Sequence, residues 1–152
     1  MKKYKYFAYG SNMDEARLWE RIGDFEEGKI AFLERHRLVF NVNSATPKIG
    51  YANIIPDKNM VVIGVLYELT EKQLEILDDY EGVPQGLYQR NIITVRDGNN
   101  EHFEAVTYMA LDCGSDLRPA KLYLDYLIRG AQQPDFPVGY LKMLEAVETA
   151  SE

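Results

Sequence analysis

The chain has 152 residues, 46% of them apolar and 27% charged, which suits a single soluble domain over 1–152 whose core needs no disulfide or structural metal. Seventeen Lys and Arg against 24 Asp and Glu give a net charge of −7, which argues against a general nucleic-acid binder and against an anionic membrane surface as partner. Cys113 has no second cysteine to pair with, and His36 and His102 are the only histidines, so no metal-ligand spacing is present. Lys2 and Lys3 precede no apolar signal segment, and no apolar run approaches the ~20 residues of a membrane span. The expected setting is therefore cytoplasmic.

Residues 4–9 are rich in aromatics, short, and followed by Gly10-Ser11-Asn12, so they read as a buried strand ending in a turn. A short helix is expected over 14–21, with Asn12 as its N-cap and Glu15 completing a capping box. Residues 28–43 read as strand with a break near 34–37, and 60–67 as a near-continuous apolar run, hence a central strand. A second helix is expected over 70–80, opened by Thr70 with Gln73 three residues on. Segments 88–95 and 102–110 flank Asp97-Gly98-Asn99-Asn100, a hairpin signal in which Asp-Gly takes positive φ. Helices over 119–130 and 137–147 each begin at a proline. Strands outnumber helices and do not alternate with them, which favours an α+β domain on a curved or barrel-like sheet over a doubly wound one.

Three features carry chemistry. On the helix over 70–80, Thr70, Leu74, Leu77 and position 81 share a face, so position 81 should be apolar, and it is Glu81. Gly82 follows where a left-handed helix terminator sits. A carboxylate aimed inward there is pushed toward its protonated form by burial, by the negative end of the helix and by neighbouring Asp78 and Asp79, which suits proton transfer near neutral pH. Periodicity alone leaves a second option, a helix ending by residue 79 with Glu81 in a solvated turn. The second feature is Tyr9-Gly10-Ser11-Asn12, a strand-to-helix turn whose free amides can hold an anion; a plain turn and cap is the other reading. Neither a phosphate-loop ending nor a Gly-x-Ser-x-Gly elbow is present, which disfavours a hydrolase built on Ser11. The third is the set of eleven tyrosines, among which Tyr123 and Tyr140 lie on inward helical faces and Tyr88 opens a strand just after Glu81.

Tyr9-Gly10-Ser11-Asn12 after an N-terminal strand, then Asp79-Tyr80-Glu81-Gly82-Val83, then Gly86-Leu87-Tyr88, with Tyr123 before Gly130-Ala131 and Tyr140 after Pro137, resembles the γ-glutamylcyclotransferase family, including its plant AIG2-like branch. The resemblance implies a small mixed β-barrel with flanking helices, Glu81 as catalytic acid and base, and Tyr9, Gly10, Ser11 and Asn12 as the loop that binds the γ-glutamyl group through its main chain. It further implies Tyr88 and Tyr123 as pocket tyrosines, with Tyr140 nearby, and release of 5-oxoproline from a γ-glutamyl amide without a cofactor. A small-molecule γ-glutamyl compound is then the expected partner; monomer and homodimer are both open. The acidic protein charge mildly suits a cationic leaving amine. The alternative is a binding module on the same scaffold without catalysis.

Overall fold

The computed structural model describes residues 2–150. Along the chain run β1 (Lys3–Ala8), a 3-10 turn (Ser11–Met13), α1 (Glu15–Ile22), β2 (Lys29–Asn43), β3 (Gly50–Thr70), α2 (Glu71–Tyr80), β4 (Tyr88–Asp97), β5 (His102–Ala110), α3 (Lys121–Gln132) and α4 (Val138–Glu145). The five strands close into a barrel in the order β1-β3-β2-β4-β5. All neighbours are antiparallel except β1 and β5, which run parallel and meet at Tyr6 and Val106. The architecture is thus α+β on a closed mixed barrel, as the strand-rich, non-alternating pattern implies.

Closure explains the burial. Phe7, Ala31, Val62 and Val95 are fully inside, and the inner face of α2 joins them through Leu74 and Leu77. Gly64 packs where a Cβ would fall 2.4 Å from the Ala8 carbonyl oxygen, so the close approach of β3 to the end of β1 requires glycine.

Three local expectations are corrected. The interruption near 34–37 is a bulge, with Arg35 at φ 61°, and β2 continues through it to pair with a β3 of 21 residues. This hairpin runs far beyond the apolar core of β3, so Met60 and Val61 are exposed whereas Val62 to Tyr67 are buried. In the β4–β5 turn the positive φ falls on Asn100, at 62°, because the Asp97 carboxylate accepts the amides of Asn99 (2.9 Å) and Glu101 (3.0 Å). The prolines stand just outside their helices: Ala120 caps α3, one residue after Pro119, and Pro137 itself caps α4.

Candidate active site

The end of α2 is fixed by its own sequence. Thr70 Oγ1 accepts the Gln73 amide at 3.2 Å, and Gln73 Oε1 accepts the Thr70 amide at 3.0 Å, a complete capping box. At the other end the Val83 amide donates to the Asp78 carbonyl (2.9 Å) and the Gly82 amide to that of Asp79 (3.2 Å), with Gly82 at φ 67°. This pair of bonds is the Schellman termination, for which a left-handed residue is needed. Glu81 is therefore the last half-helical residue, at φ −84°, and its side chain turns inward with 18% of its surface exposed. The solvated-turn option for Glu81 is excluded.

The 9–12 loop faces it. Gly10 leads into the 3-10 turn, and among the described residues the amides of Gly10, Ser11 and Asn12 have no protein acceptor. Asn12 is not the cap of α1. Asp14 takes that position, and its carboxylate is held by Arg129 (3.4 Å) and Gln133 (2.9 Å) of α3 and the residue after it. Because the 3-10 turn precedes α1, the Asn12 side chain is free to point into the barrel mouth. Its Nδ2 donates to Glu81 Oε1 and to the Tyr6 hydroxyl, both at 3.0 Å, and its Oδ1 accepts from Arg21 at 3.1 Å. A guanidinium only donates, so Arg21 sets which way the amide faces.

Glu81 and the loop line one cavity of about 220 Å³, shared with Tyr88 and Tyr123. Six substrate-binding residues expected from sequence, Tyr9, Gly10, Ser11, Asn12, Tyr88 and Tyr123, are thus brought together around Glu81. Tyr140 is not among the lining residues. It lies on α4, which packs against α3, and its ring stands edge-on to Phe136 at 5.8 Å.

The cavity also holds residues that sequence reasoning missed. Arg17 and Arg21 sit four apart on α1, beside the buried Leu18 and Ile22, and that spacing was the available signal. Arg17 Nε donates to Ser11 Oγ at 2.9 Å and its guanidinium lies over the Tyr126 ring; Arg21 lies over Tyr80. Tyr6 and Tyr108 complete the inner wall.

Burial pushes the Glu81 carboxyl above the ordinary carboxylate range, while Arg21, Asn12 and Arg17 draw it back. Asp78 and Asp79 do not contribute as expected: Asp78 is turned to Arg90 and Tyr108, and Asp79 is exposed. The local charge is also opposite to that of the whole chain. Two guanidiniums against one carboxylate make this cavity cationic within an acidic protein, which removes the argument for a cationic leaving amine.

Such a site has the parts for proton transfer on a bound anion: one buried carboxylate, unpaired main-chain donors and positive charge. Residues 61–144 match the model of the family described as the AIG2-like family. Gamma-glutamylcyclotransferases of Bos taurus and Homo sapiens are 28% and 27% identical over 151 residues, covering 97% of this chain and 80% of each relative. A solved structure named gamma-glutamyl cyclotransferase superposes with a TM-score of 0.92 at 26% identity, over 99% of this chain and 91% of that one. Among the described residues no helix is long and apolar enough to cross a membrane.

Proposed function

The chain belongs to the AIG2-like family, and on that premise we propose that it is a γ-glutamylcyclotransferase that releases 5-oxoproline and a free amino acid from a γ-glutamyl amide. The observation that carries the reading is Glu81: a largely buried carboxylate with one hydrogen bond, in the same cavity as the amides of residues 10–12, which have no acceptor among the described residues. The relatives named for this activity support it.

The reaction closes a five-membered ring within one substrate. The α-ammonium group gives one proton to Glu81, the freed amine bonds to the γ-carbonyl carbon, and the bond to the leaving nitrogen breaks as Glu81 passes that proton to it; Glu81 then takes the second proton from the ring nitrogen and passes it to the released amine, which departs as an ammonium group. One carboxylate serves as base and then as acid, no proton is gained or lost overall, and no water is consumed. A carboxyl raised above its ordinary range is matched to that exchange. Ring closure needs a folded substrate, so much of the rate comes from holding the α-carboxylate and the reacting carbonyl in place. The amides of Gly10, Ser11 and Asn12, with Arg17 beside Ser11, are suited to an anionic anchor.

The cationic cavity favours a leaving group that carries its own carboxylate. A γ-glutamyl amino acid has a net charge of −1, whereas a γ-glutamylamine has none to offer beyond the glutamyl end. The test is a panel of γ-glutamyl-alanine, γ-glutamyl-methylamine and γ-glutamyl-ε-lysine, assayed for 5-oxoproline. Turnover with γ-glutamyl-alanine preferred is expected. Absence of 5-oxoproline from every member, with the compounds recovered intact, supports the binding-module alternative instead.

A further inference from the structure

Seven tyrosines face the cavity, and each hydroxyl has one proton to give. The destination of that proton divides them. Tyr9 donates to the Tyr108 carbonyl (2.6 Å), Tyr88 to the Ala52 carbonyl, and Tyr108 to Asp78 Oδ1 (2.7 Å). These three are spent on the fold. Among the described residues Tyr51 and the exposed Tyr80 make no hydroxyl hydrogen bond to protein. Tyr6 and Tyr123 are held in place without spending their protons: Tyr6 accepts from Asn12 Nδ2 and Tyr123 from the Ala52 amide, so among the described residues neither proton has a protein acceptor. Tyr123 stands over the loop, its hydroxyl 3.6 Å from where a Cβ on Gly10 would be. Tyr6 stands beside Glu81, since one amide nitrogen of Asn12 holds both at 3.0 Å.

That position has a chemical meaning, which rests on the cyclotransferase reading. The γ-carbon is bonded to both nitrogens that exchange protons with Glu81, so its oxygen must lie next to that carboxylate. We propose that the Tyr6 hydroxyl is a catalytic residue that donates to the γ-carbonyl oxygen and stabilises the oxyanion formed during ring closure. As the α-nitrogen bonds to the γ-carbon, the carbonyl π pair moves onto oxygen and is held by the Tyr6 O–H. The pair then returns, the bond to the leaving nitrogen breaks, and that nitrogen takes, by way of Glu81, the protons that the ring nitrogen gives up. Tyr6 keeps its own proton throughout.

The hydroxyl is suited to this work. Its ring is 3% exposed, stacked on Tyr67 at 6.5 Å and edge-on to Tyr108 at 5.9 Å, so the donor is held before substrate arrives. Asn12 occupies a lone pair of the oxygen and Arg21 prevents that amide from turning round, which leaves the proton directed away from both. Burial and the nearby Glu81 push the phenol far above its ordinary range, so it remains a donor.

The experiment is Tyr6→Phe, which keeps the ring and its packing, assayed against wild type on γ-glutamyl-alanine. Loss of one oxyanion donor predicts a kcat lower by about 10²–10³-fold, with KM held within about threefold and the acid limb of the pH profile unmoved. A kcat within threefold of wild type overturns the proposal. So does a fall in kcat that comes with a displaced acid limb, because Tyr6 would then act through Asn12 and Glu81. Should Tyr6→Phe fold poorly, 3-fluorotyrosine at position 6 alone gives a stronger donor of nearly the same shape. It is expected to raise kcat by about twofold, and an unchanged kcat overturns the proposal. A wild-type protein inert toward every γ-glutamyl amide overturns the cyclotransferase reading and this inference together, whereas an active wild type matched by Tyr6→Phe overturns this inference alone.

Discussion

Helix α2 carries two inward carboxylates one turn apart, and their surroundings could hardly differ more. Asp78 takes two hydrogen bonds from Arg90, at 2.8 and 2.7 Å, and a third from Tyr108 at 2.7 Å; Arg90 is further tied to Glu71. Its acceptor capacity is nearly filled, and it joins α2 to β4 and β5. Glu81 has about the same side-chain exposure, 18% against 22%, yet it receives one hydrogen bond and has its nearest cation at 3.8 Å. Burial alone does not distinguish a working carboxylate from a structural one. Unfilled hydrogen-bond capacity beside a cavity does, because a carboxylate saturated by an arginine fork has neither the basicity nor the room to take a proton from a ligand.

The contrast breaks most sharply at Glu81. Glu81→Gln is expected to lower the rate of 5-oxoproline release by about 10²–10⁴-fold while the fold persists, measured by steady-state assay and circular dichroism. The same variant should be more heat-resistant than wild type near neutral pH. The folded protein binds a proton at Glu81 more readily than the unfolded chain does. The contribution of this group to stability is therefore full below the ordinary carboxylate range and is lost as pH rises through the raised folded value. A neutral amide escapes that loss, so the melting temperatures of the two proteins should diverge as pH increases.

Asp78→Asn should do the reverse, costing about 2 kcal/mol of stability and sparing the chemistry, as read by denaturant melts beside kcat. A loss of rate there as large as that of Glu81→Gln would erase the distinction between the two sites. Arg21→Gln removes the cation that holds Glu81 down, so the acid limb of kcat/KM should move to higher pH, with activity at neutrality lower by roughly tenfold for each pH unit of that move. The smallest effect is expected at the far end of the helix. Thr70→Ala removes half of the capping box, for about 1 kcal/mol, and should lower the melting temperature by about 3 °C with kcat intact.

Much of this arrangement was legible in the residues themselves. The capping box at Thr70 and Gln73, the left-handed stop at Gly82 and the Leu74/Leu77 face are local patterns that allowed an inward Glu81 beside a solvated-turn option, and the structure decides for the inward one. The barrel class followed from the count and order of strands, and the ordered set of short motifs pointed to the site around Glu81. Asn12 was misread as a cap because capping preferences are short-range, while its partners Glu81 and Arg21 lie 69 and nine residues away.

Sequence by itself determined the capping box that opens α2, the glycine that can stop it and the carboxylate beside that glycine, because these depend on neighbours within a turn or two. Tertiary structure decided what each polar group does with its lone pairs and protons. Whether a tyrosine gives its hydrogen or accepts one depends on a partner such as Tyr108 for Tyr9, 99 residues along the chain. The sign of charge in the cavity likewise depends on α1 packing against α2 and the 3-10 turn, which brings Arg17 and Arg21 to the cavity and which no local pattern encodes.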